Sequence, residues 1–353
     1  MLLKRTLSAA VFAVCGLTAV AQAAEDTAPA DLVAAAKAEG AVWSLAMPDA
    51  WANWKETWED ITRIYGIEHV DTDMSSAQEI AKFDAERNNP TGDIGDIGQA
   101  FADVAVQKGV TQPYKPTTWD SIPDWAKDQD GHWCLAYTGT IAFMTNVDLV
   151  KNPPKSWADL LEGDYKITVG DVGIAAQANN AVLAAAYGLG GDETNLKPAL
   201  EFFGKLAKEG RLLFTDPSLA NLEKGEVEVA LLWDFNALSY RDKVDPNKFV
   251  VTIPQEGSVT SGYTTIINKY AAHPNAAKLA REYIFSDKGQ INLARGYARP
   301  IRSDVVLPED VKAKLIPDDQ YTNARPVKDF EAWEKNSRRL PRMWQEFVLI
   351  HQQ

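Results

Sequence analysis

Leu135-Ala136-Tyr137-Thr138-Gly139-Thr140-Ile141-Ala142-Phe143-Met144-Thr145 reads as one long β run with a glycine inside it. A strand of this length can leave one packed unit and enter another. Gly139 supplies the backbone freedom such a passage needs. Outward from it, the chain falls into two blocks in which strands and helices alternate. On the N-terminal side, 31–39 is a helix closed by Gly40. A short strand follows at 41–46. Trp51, Trp54, Trp58, Ile61 and Tyr65 then recur at helical spacing as one apolar face that Gly66 ends. Next come a strand at 68–71, a helix opened by Ser75-Ser76, a strand at 93–97 and a helix at 100–108. On the C-terminal side, a capped helix starts at Ser156-Trp157. Strands at 166–170, 211–214 and 227–233 then alternate with helices near 175–187, 197–209 and 219–224. Strands at 249–253 and 263–267 precede a mainly helical remainder.

Strand–helix alternation predicts an α/β fold with mostly parallel strands. Two such blocks joined by long β segments predict two lobes with a cleft between them. The crossovers are expected at Tyr137-Thr138-Gly139-Thr140 and at 256–262. That gives a first lobe of 24–139 plus 263–353, including the C-terminal helices, and a second lobe of 140–262.

The N-terminus predicts export. Lys4 and Arg5 precede an apolar run from Leu7 to Val20 that ends in Ala21-Gln22-Ala23, a small-x-small pattern. The run is short for a membrane span, which takes roughly 20 residues. Residues 1–23 are therefore expected to be a signal peptide cleaved near Ala23, leaving the chain in the periplasm. Its loss takes the formal charge from −13 to −15 and leaves Cys134 as the one cysteine, so no internal disulfide is expected. Such an acidic surface repels nucleic acid and anionic lipid. No cofactor is expected.

Several segments carry a resemblance. They are 31–42, then Pro154-Lys155-Ser156-Trp157-Ala158-Asp159-Leu160-Leu161, then Gly225-Glu226-Val227-Glu228-Val229-Ala230, then 273–280, and Gly296-Tyr297-Ala298-Arg299-Pro300-Ile301. In this order they resemble family 1 extracellular solute-binding proteins, nearest to the groups for polyamines, aminophosphonates, sugar phosphates or ferric iron. The resemblance implies a type II periplasmic binding protein fold. It also implies a small-molecule ligand, a monomeric receptor, and an ABC permease with its cytoplasmic ATPase as partners.

Ligands of open α/β sheets sit beyond the carboxyl ends of strands, where helix N-termini converge. That rule selects Asp49 and Trp51 after the first strand, Ser75 and Ser76 before a helix, and Gln99 after the 93–97 strand. It also selects Thr138 on the crossover, Asp171, Gly173 and Ile174 in the second lobe, Trp233 and Asp234 at a strand end, and Tyr263 on the return crossover. Trp54 and Trp58 continue the apolar stripe and read as core. Trp51 reads equally as core or cleft, and Ser75-Ser76 as a helix cap or an anion cradle. In polyamine binders the tryptophan resembling Trp233 stacks on the ligand, and the next position is usually neutral, so Asp234 departs from the pattern. An acid beside an indole makes a cation site. The carboxylates a second polyamine amine would need are not evident at Val172 and Tyr263. The expected ligand therefore carries one amine and an anionic group, as an aminophosphonate does.

Other chemistries fare worse. A ferric site would want neighbouring tyrosines, and Tyr240 and Tyr263 are far apart in the chain; His69, His132, His273 and His351 lack ligand spacing. No nucleophile elbow, His-Glu-x-x-His or P-loop pattern occurs, so hydrolysis is not expected. Cys134 and His132 share one strand face and could meet, but Cys134 reads as a buried hydrophobe.

Overall fold

The computed structural model describes residues 28–215 and 217–352, so the leader read at 1–23 lies outside the described residues. Among the described residues twelve strands run in chain order: β1 Ala41–Leu45, β2 Glu68–Thr72, β3 Ile94–Gly98, β4 Thr111–Gln112, β5 Trp133–Asn146, β6 Ile167–Thr168, β7 Leu212–Leu213, β8 Val229–Trp233, β9 Phe249–Thr252, β10 Ser258–Asn268, β11 Arg299–Pro300 and β12 Ala324–Arg325. The α-helices are α1 Ala30–Glu39, α2 Trp54–Tyr65, α3 Ser76–Ala85, α4 Ala102–Gln107, α5 Trp157–Glu162, α6 Ala176–Gly188, α7 Lys197–Lys208, α8 Leu219–Glu223, α9 Asp234–Val244, α10 Pro274–Ile284, α11 Asp287–Arg295, α12 Glu309–Lys312 and α13 Phe330–Phe347.

The strand order is β2-β1-β3-β10-β5-β8-β6-β7. β1, β2 and β3 are mutually parallel, and so are β8, β6 and β7. Antiparallel β10 and β5 stand between these two groups. β5 serves both. Its residues up to Thr140 pair with β10, and Ile141 to Asn146 pair with β8 and β9. All fourteen of its residues are buried, which explains why its sequence is apolar without alternation. The chain thus forms two α/β lobes strung on two long strands.

Trp157 ties the second lobe to the return crossover. Ser156 caps α5 by accepting the Asp159 N–H, which seats the fully buried Trp157 at the first helical position. Its indole then donates to the Gly257 carbonyl at 2.9 Å, and its backbone N–H donates to Glu256 at 3.0 Å. Phe143 of β5 meets the same indole edge-on at 4.9 Å.

Two expectations change. The strands read at 166–170 and 211–214 shrink to residue pairs, because only those positions are in register with a neighbour. The C-terminal segment, expected with the first lobe, also reaches the second. The Glu193 carboxylate accepts the backbone N–H groups of Lys328 and Asp329, and Trp344 of α13 packs edge-on against Phe203 and Phe214 at 5.2 and 6.3 Å. α13 has a strong apolar stripe, and the exposed face of α7 is what it covers.

Candidate ligand-binding site

Between the lobes lies a cavity of about 280 Å³, walled by the strand ends and helix starts of both. The first lobe contributes Trp51, Asp73, the Ser75-Ser76 start of α3 and Asp96 of β3. The second contributes Ile174, the start of α6 with Gln177, and Asn236 and Tyr240 of α9. Tyr263 of β10 sits on the seam. The lobes are close enough that a Cβ on Gly98 would stand 3.3 Å from the Ala176 Cβ across the gap.

The chain matches the model of the bacterial extracellular solute-binding protein family over residues 89–336. This chain belongs to that family. Among curated relatives, the sulfate-binding protein of Escherichia coli strain K12 is 25% identical over 179 residues, covering 48% of this chain and 53% of its own length. The chain thus spans about half the length of that relative. A Salmonella typhimurium periplasmic protein assigned to 2-aminoethylphosphonate binding is 22% identical over 262 residues, covering 71% of this chain and 72% of itself. Among solved structures, the periplasmic binding protein AfuA of Actinobacillus pleuropneumoniae, with fructose-6-phosphate bound, superposes with a TM-score of 0.68 at 18% identity. That match covers 86% of this chain and 96% of AfuA. No described helix is long and apolar enough to cross a membrane.

In this solute-binding protein the strand-end rule selects five residues that meet at the cavity. Trp51, Ser75, Ser76, Ile174 and Tyr263 line the cavity together. Trp51 precedes α2 rather than belonging to its stripe, so it is half-buried while Trp54 and Trp58 are core. Its indole N–H donates to the Tyr137 hydroxyl at 2.7 Å, and Tyr137 donates on to Asp96 at 2.8 Å. Ser75 behaves as a cap, its N–H and hydroxyl both donating to Gln78 at 3.0 Å. Ser76 accepts the Gly98 N–H at 3.0 Å, locking α3 to the end of β3. Gln99 and Trp233 border a narrow crevice beside the cavity with Tyr263.

The remaining candidates lie elsewhere. Asp49 and Asp171 are exposed and off the cavity wall. Thr138 is buried, paired with Gly262 and Arg299. Gly173, at φ 95°, turns towards Pro341 of α13 and donates its N–H to Asn179 at 2.6 Å. Asp234 is a correction. Its carboxylate accepts the N–H groups of Thr140 and Phe235 at 3.0 and 2.8 Å and the Tyr321 hydroxyl at 2.6 Å. It is 1% exposed and faces the crossover, not the cavity. As the first residue of α9 it points back along the helix start, where the strand's alternation no longer governs direction.

The acids that do face the cavity are Asp73 and Asp96, which the sequence reading passed over, along with Gln177, Asn236 and Tyr240. Asp73 lies just beyond β2, where the strand-end rule could have found it. Asp96 is inside β3, three residues before Gln99, the position that rule selects. Among the described residues no lysine or arginine lines the cavity. Burial pushes the Asp96 carboxyl well above the ordinary carboxylate range, against the Tyr137 hydrogen bond and with the Asp71 charge. Burial likewise raises Tyr263. Tyr240 and Tyr263, distant in sequence, border the same cavity. Cys134 and His132 do not form a dyad: the thiol lies 3.7 Å from the Thr265 hydroxyl, and the imidazole bonds Thr111 at 2.8 Å. Among the described residues no group of three or more His, Cys, Asp or Glu side chains could hold a metal ion.

Proposed function

We propose that this protein is the periplasmic receptor of an ABC importer, closing its lobes on a small solute that carries an ammonium group. One observation carries the reading: the acids on the cavity wall are Asp73 and Asp96, and among the described residues no lysine or arginine lines it. An anion alone would enter a field of the wrong sign. The rings of Trp51, Phe101, Tyr240 and Tyr263 on the same wall suit a cation's attraction to aromatic faces. The starts of α3 and α6 offer first-turn N–H groups to an oxyanion at the ligand's other end. A compact amino-oxyanion such as 2-aminoethylphosphonate has both ends, as the name of the Salmonella relative suggests.

Closure turns on the two crossovers, with 24–139 and the strands and helices following 263 in one lobe and 140–262 in the other; α13 travels with the second. The closed form presents both lobes to the permease and its cytoplasmic ATPase, and the receptor works as a monomer after loss of residues 1–23.

Thermal unfolding of the purified chain tests this. Putrescine, ethanolamine and 2-aminoethylphosphonate are set against sulfate and fructose 6-phosphate. Saturating an amine at about 100 times its Kd adds roughly 2.7 kcal/mol of stability. A chain stabilised by sulfate or fructose 6-phosphate and by none of the amines is not an amine receptor.

A ferric reading has one observation in its favour, the meeting of Tyr240 and Tyr263 beside two aspartates. Phenolate and carboxylate oxygens suit a hard cation. A visible tyrosinate absorption on adding ferric citrate would establish it.

A further inference from the structure

Glu79 lies directly behind the cavity wall. It is fully buried on α3, and its carboxyl covers the Cα of Gly95 so closely that a Cβ there would fall 1.6 Å from Oε1. Neither of its oxygens has a hydrogen-bond partner; the Asp96 backbone N–H faces the carboxyl without completing a bond. Asp96, next along β3, is 1% exposed and reaches the cavity with its Oδ1 unpartnered. Its Oδ2 accepts the Tyr137 hydroxyl at 2.8 Å.

The groups around this pair are acidic, phenolic or neutral. β2 presents Asp71, which accepts the Ser44 hydroxyl and the Met47 N–H, with Asp73 and Asp49 beyond it. β5 presents Tyr137, β10 Tyr263 and α2 the Trp54 indole, which points at Asp96 without bonding it. α9 adds Tyr240 across the cavity. His69, the nearest imidazole, bonds Ser44 at 2.8 Å, and burial lowers it to about 4, so it is neutral above pH 5. No cation among the described residues faces either carboxyl. Two buried carboxylates side by side without a counter-ion cannot both ionise.

We propose that the free receptor holds a proton on both Glu79 and Asp96 at neutral pH, and that the arriving ammonium group displaces the Asp96 proton to solvent while Glu79 keeps its own. This rests on the amine reading of the cavity and adds its linkage to pH. The step balances: the Asp96 carboxylic acid and the ammonium become a carboxylate–ammonium pair, and one proton leaves. Asp96 is the group that gives it up because its anion has a donor, Tyr137, itself fed by the Trp51 indole, and because it lines the cavity with its second oxygen unpartnered. Glu79 has neither. Burial, reinforced by the charges of Asp96 and Asp71, pushes the Glu79 carboxyl far above its ordinary range.

Two measurements on the intact chain decide it. Carbon-13 NMR of the side-chain carboxyls in the ligand-free protein, assigned with Glu79→Gln and Asp96→Asn, should show both protonated at pH 7. Finding either one ionised at pH 6 overturns the inference, whatever the ligand. Calorimetry with putrescine and ethanolamine, whose amines stay charged below pH 8, is run in buffers of different ionisation heat. It should record one proton released per molecule bound at pH 7, and an affinity falling about tenfold as the pH drops from 7 to 6. Binding of either amine with no proton release sinks the proton linkage and leaves the amine reading standing. Protonated carboxyls in a protein that binds neither amine sink the amine reading, and proton release on capture goes with it.

Discussion

The Tyr321 hydroxyl donates to the Asp234 carboxylate at 2.6 Å, and the Arg299 guanidinium lies 3.9 Å over the Tyr321 ring. Asp234 in turn accepts the Thr140 N–H, at the point where β5 passes from one lobe to the other. This clip holds the C-terminal connection to the crossover and occupies the carboxylate that, in sequence, looked free for a ligand. Tyr321→Phe should therefore cost about 1–3 kcal/mol in urea unfolding, the loss of a buried hydrogen bond to a charged group. Ethanolamine or putrescine affinity should change less than about threefold, about 0.7 kcal/mol, since Asp234 does not line the cavity. A far larger affinity loss at unchanged stability would return Asp234 to the site.

Gly98 stands against Ala176 across the gap, so a side chain at 98 acts as a wedge against the proposed closure. Its φ of −56° is open to any residue, and the nearest first-lobe atoms would lie 3.8 Å from a Cβ. Gly98→Val should leave the melting temperature of the free protein nearly unchanged and weaken ligand binding at least tenfold. Small-angle scattering should show the contraction on ligand addition in the wild type and not in the variant.

Asp60 fixes α2 to the first lobe's helices. Burial would raise its carboxyl, but hydrogen bonds from Tyr283, Arg63 and Asn292, with the Lys288 ammonium at 3.3 Å, outweigh it and hold it at about 2. A depressed carboxyl adds stability above its unfolded value near 3.8, and that stability drains away as pH falls towards 2. Asp60→Asn should cost about 2 kcal/mol at pH 7. The gap to wild type should close between pH 4 and 2 in acid unfolding followed by circular dichroism.

Trp344 anchors α13 to α7 through Phe203 and Phe214 and is 3% exposed. Trp344→Ala should destabilise by about 3–5 kcal/mol. Amide hydrogen exchange should rise in α13 and α7 and stay slow in β1 to β3, because the first lobe does not share that contact.

Burial drives the legibility of the fold. Helices were readable where an apolar stripe recurs, as in Trp54, Trp58, Ile61 and Tyr65. β5 was readable because a strand covered on both faces is apolar throughout. Short β6 and β7 were overdrawn, since strand ends depend on a partner's register and not on local composition.

The cavity wall was half legible. Rules about strand ends and helix starts are local, and they reached Trp51, Ser75, Ser76, Ile174 and Tyr263. They could not say which of two acids, Asp96 or Asp234, would look into the gap. That depends on whether a residue is the last of a strand's alternation or the first of a helix, and on whether another segment, here Tyr321, arrives to claim it. By itself the sequence determined two α/β lobes on long shared strands, because periodicity and apolar runs are written along the chain. Only the tertiary structure decided which groups meet, Tyr240 with Tyr263 and Asp73 with Asp96, because convergence in space comes from topology and packing between residues the chain keeps far apart.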